Sequence, residues 1–138
     1  MEKFYLSWQD IHLYIRTLSE NLKEYGPLYI TGIPRGGLIP AAMLSHSMEK
    51  EFLNLHEAIE MDDITRRRIV LVDDISDSGT TLLKYSKYNF ITSSLITRYN
   101  TYYTPTITAK EWNDDKWIVF PWENRKAKPL PGYLEFTD

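Results

Sequence analysis

The sequence contains no cysteine. That excludes disulfides, thiolate catalysis and cysteine-based zinc sites. No apolar run approaches the ~20 residues needed to span a membrane. The opening segment, MEKFYLSWQD, lacks the apolar region of a secretory signal. A soluble, cytoplasmic protein is therefore expected. No internal repeat, linker or low-complexity block interrupts the chain. The formal net charge of −3 has the wrong sign for a general binder of nucleic acid or anionic membrane, although a local basic groove remains compatible with it. With 138 residues, 43% of them hydrophobic, a single domain over residues 1–138 with a substantial core is expected.

The most informative segment is IVLVDDISDSGTT, residues 69–81. An apolar strand runs into two adjacent carboxylates, then into a hydroxyl-rich turn and a segment compatible with a helix. Open α/β sheets bind ligands where a strand C-terminus meets a helix N-terminus. Backbone N–H groups at such a turn can hold a phosphate. Asp73 and Asp74 can accept hydrogen bonds from a diol or help hold a hydrated metal. Together these features point to a sugar-phosphate site.

Elsewhere, Ile11, Tyr14, Ile15, Leu18 and Leu22 share one face at helical spacing and predict a helix over Ser7 to Tyr25. Ser7 and Asp10 form its capping box, and Gly26-Pro27 stops it. A short strand is expected over Leu28 to Ile33 and a helix over Leu38 to Met48, with Pro40 in its tolerated first turn. Phe52 to Leu55 reads as a weak strand and Glu57 to Asp63 as an acidic connection. Further strands are expected at Arg68 to Asp74, Ile91 to Arg98 and Trp117 to Phe120, with a helix over Thr80 to Tyr88. Tyr99 to Asp115 reads as irregular, with a short strand at Thr106 to Thr108. Strands alternating with helices predict an α/β fold with a largely parallel sheet.

Two more segments carry chemistry. In GIPRGGLIPA, residues 32–41, the glycines after Arg35 let the backbone approach an anion such as pyrophosphate, although Arg-Gly-Gly alone also suits a surface turn. In DKWIVFPWE, residues 115–123, Trp117 offers a flat face to a heterocyclic base, and backbone near Ile118 can read the base edge. Trp122 is expected in the core.

The run at residues 69–81 resembles the phosphoribosyl pyrophosphate (PRPP) signature of the type I phosphoribosyltransferases. The segments Phe4 to Pro27, RGGLIPAAMLSH and DKWIVFPWE resemble the xanthine–guanine (hypoxanthine) members of that family. The resemblance implies the type I fold: a largely parallel central sheet flanked by helices, here with a shortened flexible loop. It also implies a residue-by-residue site. Asp73 and Asp74 would bind the ribose hydroxyls, directly or through Mg²⁺ and water. Ser78, Gly79, Thr80 and Thr81 would cradle the 5′-phosphate, with Asp77 beside the purine imidazole assisting proton transfer. Arg35, Gly36 and Gly37 would hold pyrophosphate, with a non-proline cis peptide expected between Arg35 and Gly36. Trp117 would stack the base, and the Ile118 backbone would contact its exocyclic group. Arg98 stands where these enzymes usually place a lysine that donates to the 6-oxo group, and Arg and Lys are not interchangeable.

The implied activity is transfer of the 5-phosphoribosyl group from PRPP to a 6-oxopurine, releasing pyrophosphate, in purine salvage. A homo-oligomer, dimer or tetramer, is also implied. The chain departs from the family between Leu55 and Arg68, where relatives insert a long mobile loop that covers the ribose. Here only HEAIEMDDITRR is present, acidic and without a Ser-Tyr pair. That departure keeps open a non-catalytic or regulatory protein binding PRPP or a nucleotide, and Arg98 keeps open transfer to a different base. Arg66, Arg67 and Arg68 read as a solvated start of a strand or, alternatively, as a pyrophosphate contact. His12, His46 and His56 are scattered, which makes metal ligation an improbable role for them. The segment TRYNTYYTP suits either a base pocket or a subunit interface.

Overall fold

The computed structural model describes residues 2–123. The chain begins with β1 (Lys3–Tyr5), α1 (Trp8–Leu22), β2 (Tyr29–Gly32), α2 (Leu38–Met48) and β3 (Glu51–Phe52). It continues through α3 (Leu55–Glu60), α4 (Asp63–Arg66), β4 (Ile69–Ser76) and α5 (Thr80–Lys84), then β5 (Ile91–Arg98), β6 (Ile107–Trp112) and β7 (Trp117–Val119). Single 3₁₀ turns follow α1, α5 and β7. No helix among the described residues is long and apolar enough to cross a membrane.

The central sheet is entirely parallel, in the order β3-β2-β4-β5-β6. Successive side chains of a strand point to opposite faces, so the run Ile69 to Val72 supplies both cores. Val70 and Val72 pack with Ile11, Leu18, Leu22 and Leu44 of α1 and α2. Ile69 and Leu71 pack on the other face with Leu55, Ala58, Leu82 and Phe90. A strand buried on both sides has to be apolar at every position, as this one is. The capping box of α1 forms as expected: the Ser7 hydroxyl accepts from the Asp10 N–H at 3.0 Å, and Asp10 accepts from the Ser7 N–H at 2.9 Å. The helix then tightens into a 3₁₀ turn ended by Gly26 in the left-handed region.

Four expectations need correction. The connection at residues 55–68 folds into α3 and α4. The Asn54/Glu57 capping box starts α3 and the Asp62 side chain caps α4, with Asp63 in its first turn, so Glu57, Asp62 and Asp63 serve as helix N-terminal groups. These helices form the crossover from β3 to β4, and Arg66 fastens them by donating to the Tyr88, Ile59 and Met61 carbonyls. Arg68 donates to the Gly26 carbonyl at 2.9 and 2.8 Å. Both arginines therefore sit at the N-terminal end of β4. About five residues, at roughly 3.3 Å each in extended chain, separate Arg68 from Asp73, Arg66 lies farther back in α4, and Arg67 pairs with Asp63 of that helix at 3.0 Å, which removes the pyrophosphate reading. Residues 107–112, expected to be mostly irregular, form edge strand β6 along β5. Lys3–Tyr5 also forms an unexpected strand, pairing in parallel with β7 in a separate two-stranded sheet.

Candidate active site

From β2 the chain moves outward to β3 through α2 on one face. From β4 it moves the other way to β5 through α5 on the opposite face. The C-terminal ends of β2 and β4 thus flank the point where strand order reverses, a natural crevice for a ligand. A cleft of about 480 Å³ opens there. It is lined by Pro34, Arg35 and Gly36 after β2, by Asp73 to Gly79 along and after β4, by Thr81 of α5, and by Glu123.

The turn after β2 is held close to β4. The Ile33 N–H donates to the Val72 carbonyl at 3.0 Å, and the Gly37 N–H donates to the Ile33 carbonyl at 2.8 Å. A Cβ on Gly36 would lie 2.6 Å from the Asp74 carboxyl carbon, so the missing side chain is space that the carboxylate uses. A Cβ on Gly37 would lie 2.8 Å from the Ile33 backbone, against backbone that cannot yield. The non-proline cis peptide is Pro34–Arg35, one bond earlier than expected. The Arg35–Gly36 peptide belongs instead to the approach to α2, its carbonyl accepting from the Leu38 N–H at 3.1 Å.

The acid pair is asymmetric. Asp73 is buried and Asp74 half-buried. Asp74 accepts from the Ile75 N–H at 2.8 Å, and Asp73 accepts from the Asp74 N–H at 2.9 Å. Burial, followed by hydrogen bonding with and repulsion by Asp74, pushes the Asp73 carboxyl up to about 8. A buried carboxyl that cannot ionise comfortably beside a second one fits a site completed by a cation or by hydroxyl donors. Asp73 and Asp74 thus suit a hydrated Mg²⁺ or a ribose diol.

The turn at Asp77 to Gly79 is braced by the tyrosine-rich segment. The Tyr102 N–H donates to the Ser78 carbonyl at 2.7 Å. Ser76 meets the Thr101 hydroxyl at 3.2 Å and the Tyr103 carbonyl at 3.3 Å. Gly79 has φ +92°, and a Cβ there would lie 2.5 Å from the Tyr103 nitrogen. Within TRYNTYYTP, Thr101 to Tyr103 therefore back the Asp77–Gly79 turn.

The expected base-binding residues lie outside the cleft lining. Trp117 is 53% exposed. Its N–H donates to the Glu2 carbonyl at 2.9 Å, and the Val119 carbonyl accepts from Leu6 at 2.9 Å. Alternation along β7 therefore turns the Ile118 N–H and C=O away from β1, toward the open edge. The Ile118 side chain is buried in the core. Trp122 packs half-buried against that core, stacked on Phe120 with centroids 5.0 Å apart. Arg98 is buried, and its donors face Asp77, Asp114 and Lys116. Glu123 had been assigned no role from sequence. Its carboxylate accepts from the Phe120 N–H at 3.1 Å, which places it at the cleft, and only its place in the PWE segment pointed to it.

No family model matches the chain. The xanthine-guanine phosphoribosyltransferase of Cereibacter sphaeroides is 30% identical over 152 residues, covering 87% of this chain and 86% of that protein. The chain belongs to the purine phosphoribosyltransferase family. It is thereby classed as a transferase with the type I fold. The namesake enzyme of Nitratidesulfovibrio vulgaris is 24% identical over 151 residues, 93% of this chain and 89% of that protein. A purine phosphoribosyltransferase from Pyrococcus horikoshii superposes with TM-score 0.75 at 31% identity, covering 89% of this chain and 95% of that one. The Helicobacter pylori xanthine-guanine-hypoxanthine phosphoribosyltransferase shares the fold, with TM-score 0.74 at 22% identity over 91% and 99% of the two chains. None of residues 55–68 of this phosphoribosyltransferase lines the cleft.

Proposed function

We propose that residues 1–138 form one cytoplasmic domain that transfers the 5-phosphoribosyl group from PRPP to a 6-oxopurine (guanine, xanthine or hypoxanthine), with release of pyrophosphate. The observation that carries this reading is the convergence of the Arg35–Gly36 turn, the Asp73–Asp74 pair and the Asp77–Thr81 turn on one cleft at the switch point of the sheet. Arg35 and the backbone of Gly36 and Gly37 hold the pyrophosphate. Asp73 and Asp74 accept from the ribose hydroxyls, and Ser78, Gly79, Thr80 and Thr81 hold the 5′-phosphate. Mg²⁺, when bound through water by the acid pair, supplies positive charge to the pyrophosphate.

The purine lies against Trp117, with its exocyclic edge toward the Ile118 backbone. The bond from ribose C1 to pyrophosphate breaks as positive charge develops on the ring. Purine N9 bonds to C1 from the opposite face, and Asp77 assists departure of the imidazole proton. The protein contributes mainly by holding the reactants in line, worth up to roughly 7–11 kcal/mol. Among the described residues neither α3 nor α4 lines the cleft, and a site left open on that side favours slow transfer and makes PRPP binding the more robust property. A dimer or tetramer, expected from the family, could supply cover from a second copy.

The test incubates the protein with PRPP, Mg²⁺ and, separately, guanine, xanthine, hypoxanthine, adenine, uracil and orotate, following pyrophosphate release. Turnover of 6-oxopurines is expected. Release with no base despite PRPP binding would establish the binding-only reading, and turnover of adenine or a pyrimidine alone would replace the base assignment.

A further inference from the structure

Arg98 ends β5 with its guanidinium engaged on three sides. Nε lies 3.3 Å from the Asp77 carboxylate. Nη1 donates to the Asp114 carbonyl at 2.8 Å, and Nη2 donates to the Lys116 carbonyl at 2.6 Å. The side chain is 8% exposed, whereas that of Asp77 is 62% exposed. The loop it holds is itself ordered: the Asp114 carboxylate accepts from Trp112 Nε1 at 2.8 Å and from the Lys116 N–H at 3.0 Å. Those two bonds also hold the Asp114 carboxyl below the usual carboxylate range. Trp117 follows directly, fixed to β1.

We propose that Arg98 is a positioning residue that ties the phosphate turn, through Asp77, to the loop presenting Trp117, and that it does not read the 6-oxo group of the base. The proposal rests on the phosphoribosyltransferase reading and deepens it. A planar fork with separate nitrogens can meet three acceptors lying in different directions, and a single ammonium nitrogen cannot reach all three. An arginine at this place thus commits three of its five N–H donors, one on each nitrogen, to the protein. The two substrate half-sites become one mechanical unit, and the base edge is left to the Ile118 backbone.

The test uses Arg98→Met and Arg98→Lys in the full chain, with thermal melts to confirm folding. Amide hydrogen exchange needs no substrate. The Lys116 and Trp117 amides should exchange about tenfold faster or more in both variants. Kinetics with PRPP and Mg²⁺ then compare KM for guanine with Ki for 2-aminopurine, which lacks the 6-oxo group. Both should rise by the same factor, about ten- to hundredfold, as expected on losing charge-assisted hydrogen bonds. Lysine should not rescue. Unchanged exchange, a guanine-selective loss, or full activity of Arg98→Lys overturns the proposal. If Arg98→Met does not fold, Arg98→Lys carries the same comparison. An inactive wild-type protein would refute the proposed function, while the exchange data would still decide the role of Arg98.

Discussion

Adding one methyl group at Gly36 should mainly weaken ligand binding, whereas at Gly37 it should mainly destabilise the fold. At Gly36 the new Cβ would lie 2.6 Å from the Asp74 carboxyl carbon and 3.0 Å from one of its oxygens. Asp74 can swing away, giving up its 2.8 Å bond from the Ile75 N–H. A hydrogen bond to a charged group is worth about 1.5–3 kcal/mol, but Asp74 is half-exposed and water recovers part of that, so a stability loss of about 1 kcal/mol is expected for Gly36→Ala. Its effect on ligand should be larger, because the displaced carboxylate is half of the proposed diol site. PRPP affinity should fall about ten- to hundredfold. At Gly37 the Cβ would meet the Val72 carbonyl oxygen and lie 2.8 Å from the Ile33 nitrogen and oxygen. Neither backbone can move without breaking the junction of β2 and β4. Gly37→Ala should therefore cost about 3 kcal/mol or more, at or beyond the upper end of ordinary overpacking. Urea melts give the stabilities, and calorimetric titration with PRPP and Mg²⁺ gives the affinities. A Gly36→Ala protein that binds PRPP like wild type, or a Gly37→Ala protein as stable as wild type, would refute the assignment of Asp74 and the packing of this turn.

Other consequences are equally direct. Asp73, pushed up to about 8, keeps a proton in the folded state that the unfolded chain has released above about pH 4. Stability without ligand should therefore fall as pH rises through that window, by at most about 1.4 kcal/mol per pH unit, and Asp73→Asn should flatten the slope. A denaturation series showing stability rising between pH 5 and 8 because of Asp73 would contradict this. The Thr31 hydroxyl is fully buried without a partner among the described residues. Thr31→Val should therefore be neutral or stabilising by about 1 kcal/mol in thermal or urea melts, and a clear loss would mean that the hydroxyl has a partner. Trp117→Ala, at a 53% exposed position, should leave stability within about 1 kcal/mol. It should weaken purine binding about ten- to hundredfold, the range expected for one lost stacking contact; unaltered binding would move the base elsewhere.

What the sequence alone determined was local. The apolar run from Ile69 to Val72 needs a strand buried on both faces, and Asp73, Asp74 and the turn to Thr81 follow it without a gap, so strand, acid pair and turn were readable together. The capping box at Ser7 and Asp10 and the bounds of α2 and β5 were readable for the same reason, since short-range hydrogen bonds and side-chain periodicity specify them. Tertiary structure decided whatever depends on partners far along the chain. Lys3–Tyr5 is a strand only because β7 lies beside it, and β6 only because β5 offers an edge. The acidic connection became a helical crossover because Ala58 and Leu55 found the face built by Ile69 and Leu71. Arg98 shows the difference most clearly: the resemblance implied a donor to the base, and folding adds three protein partners, the carbonyls of Asp114 and Lys116 and the carboxylate of Asp77. Sequence supplied the chemistry of each side chain. Only the folded chain fixed which acceptor each donor meets, because those acceptors come from strands and loops brought together by packing.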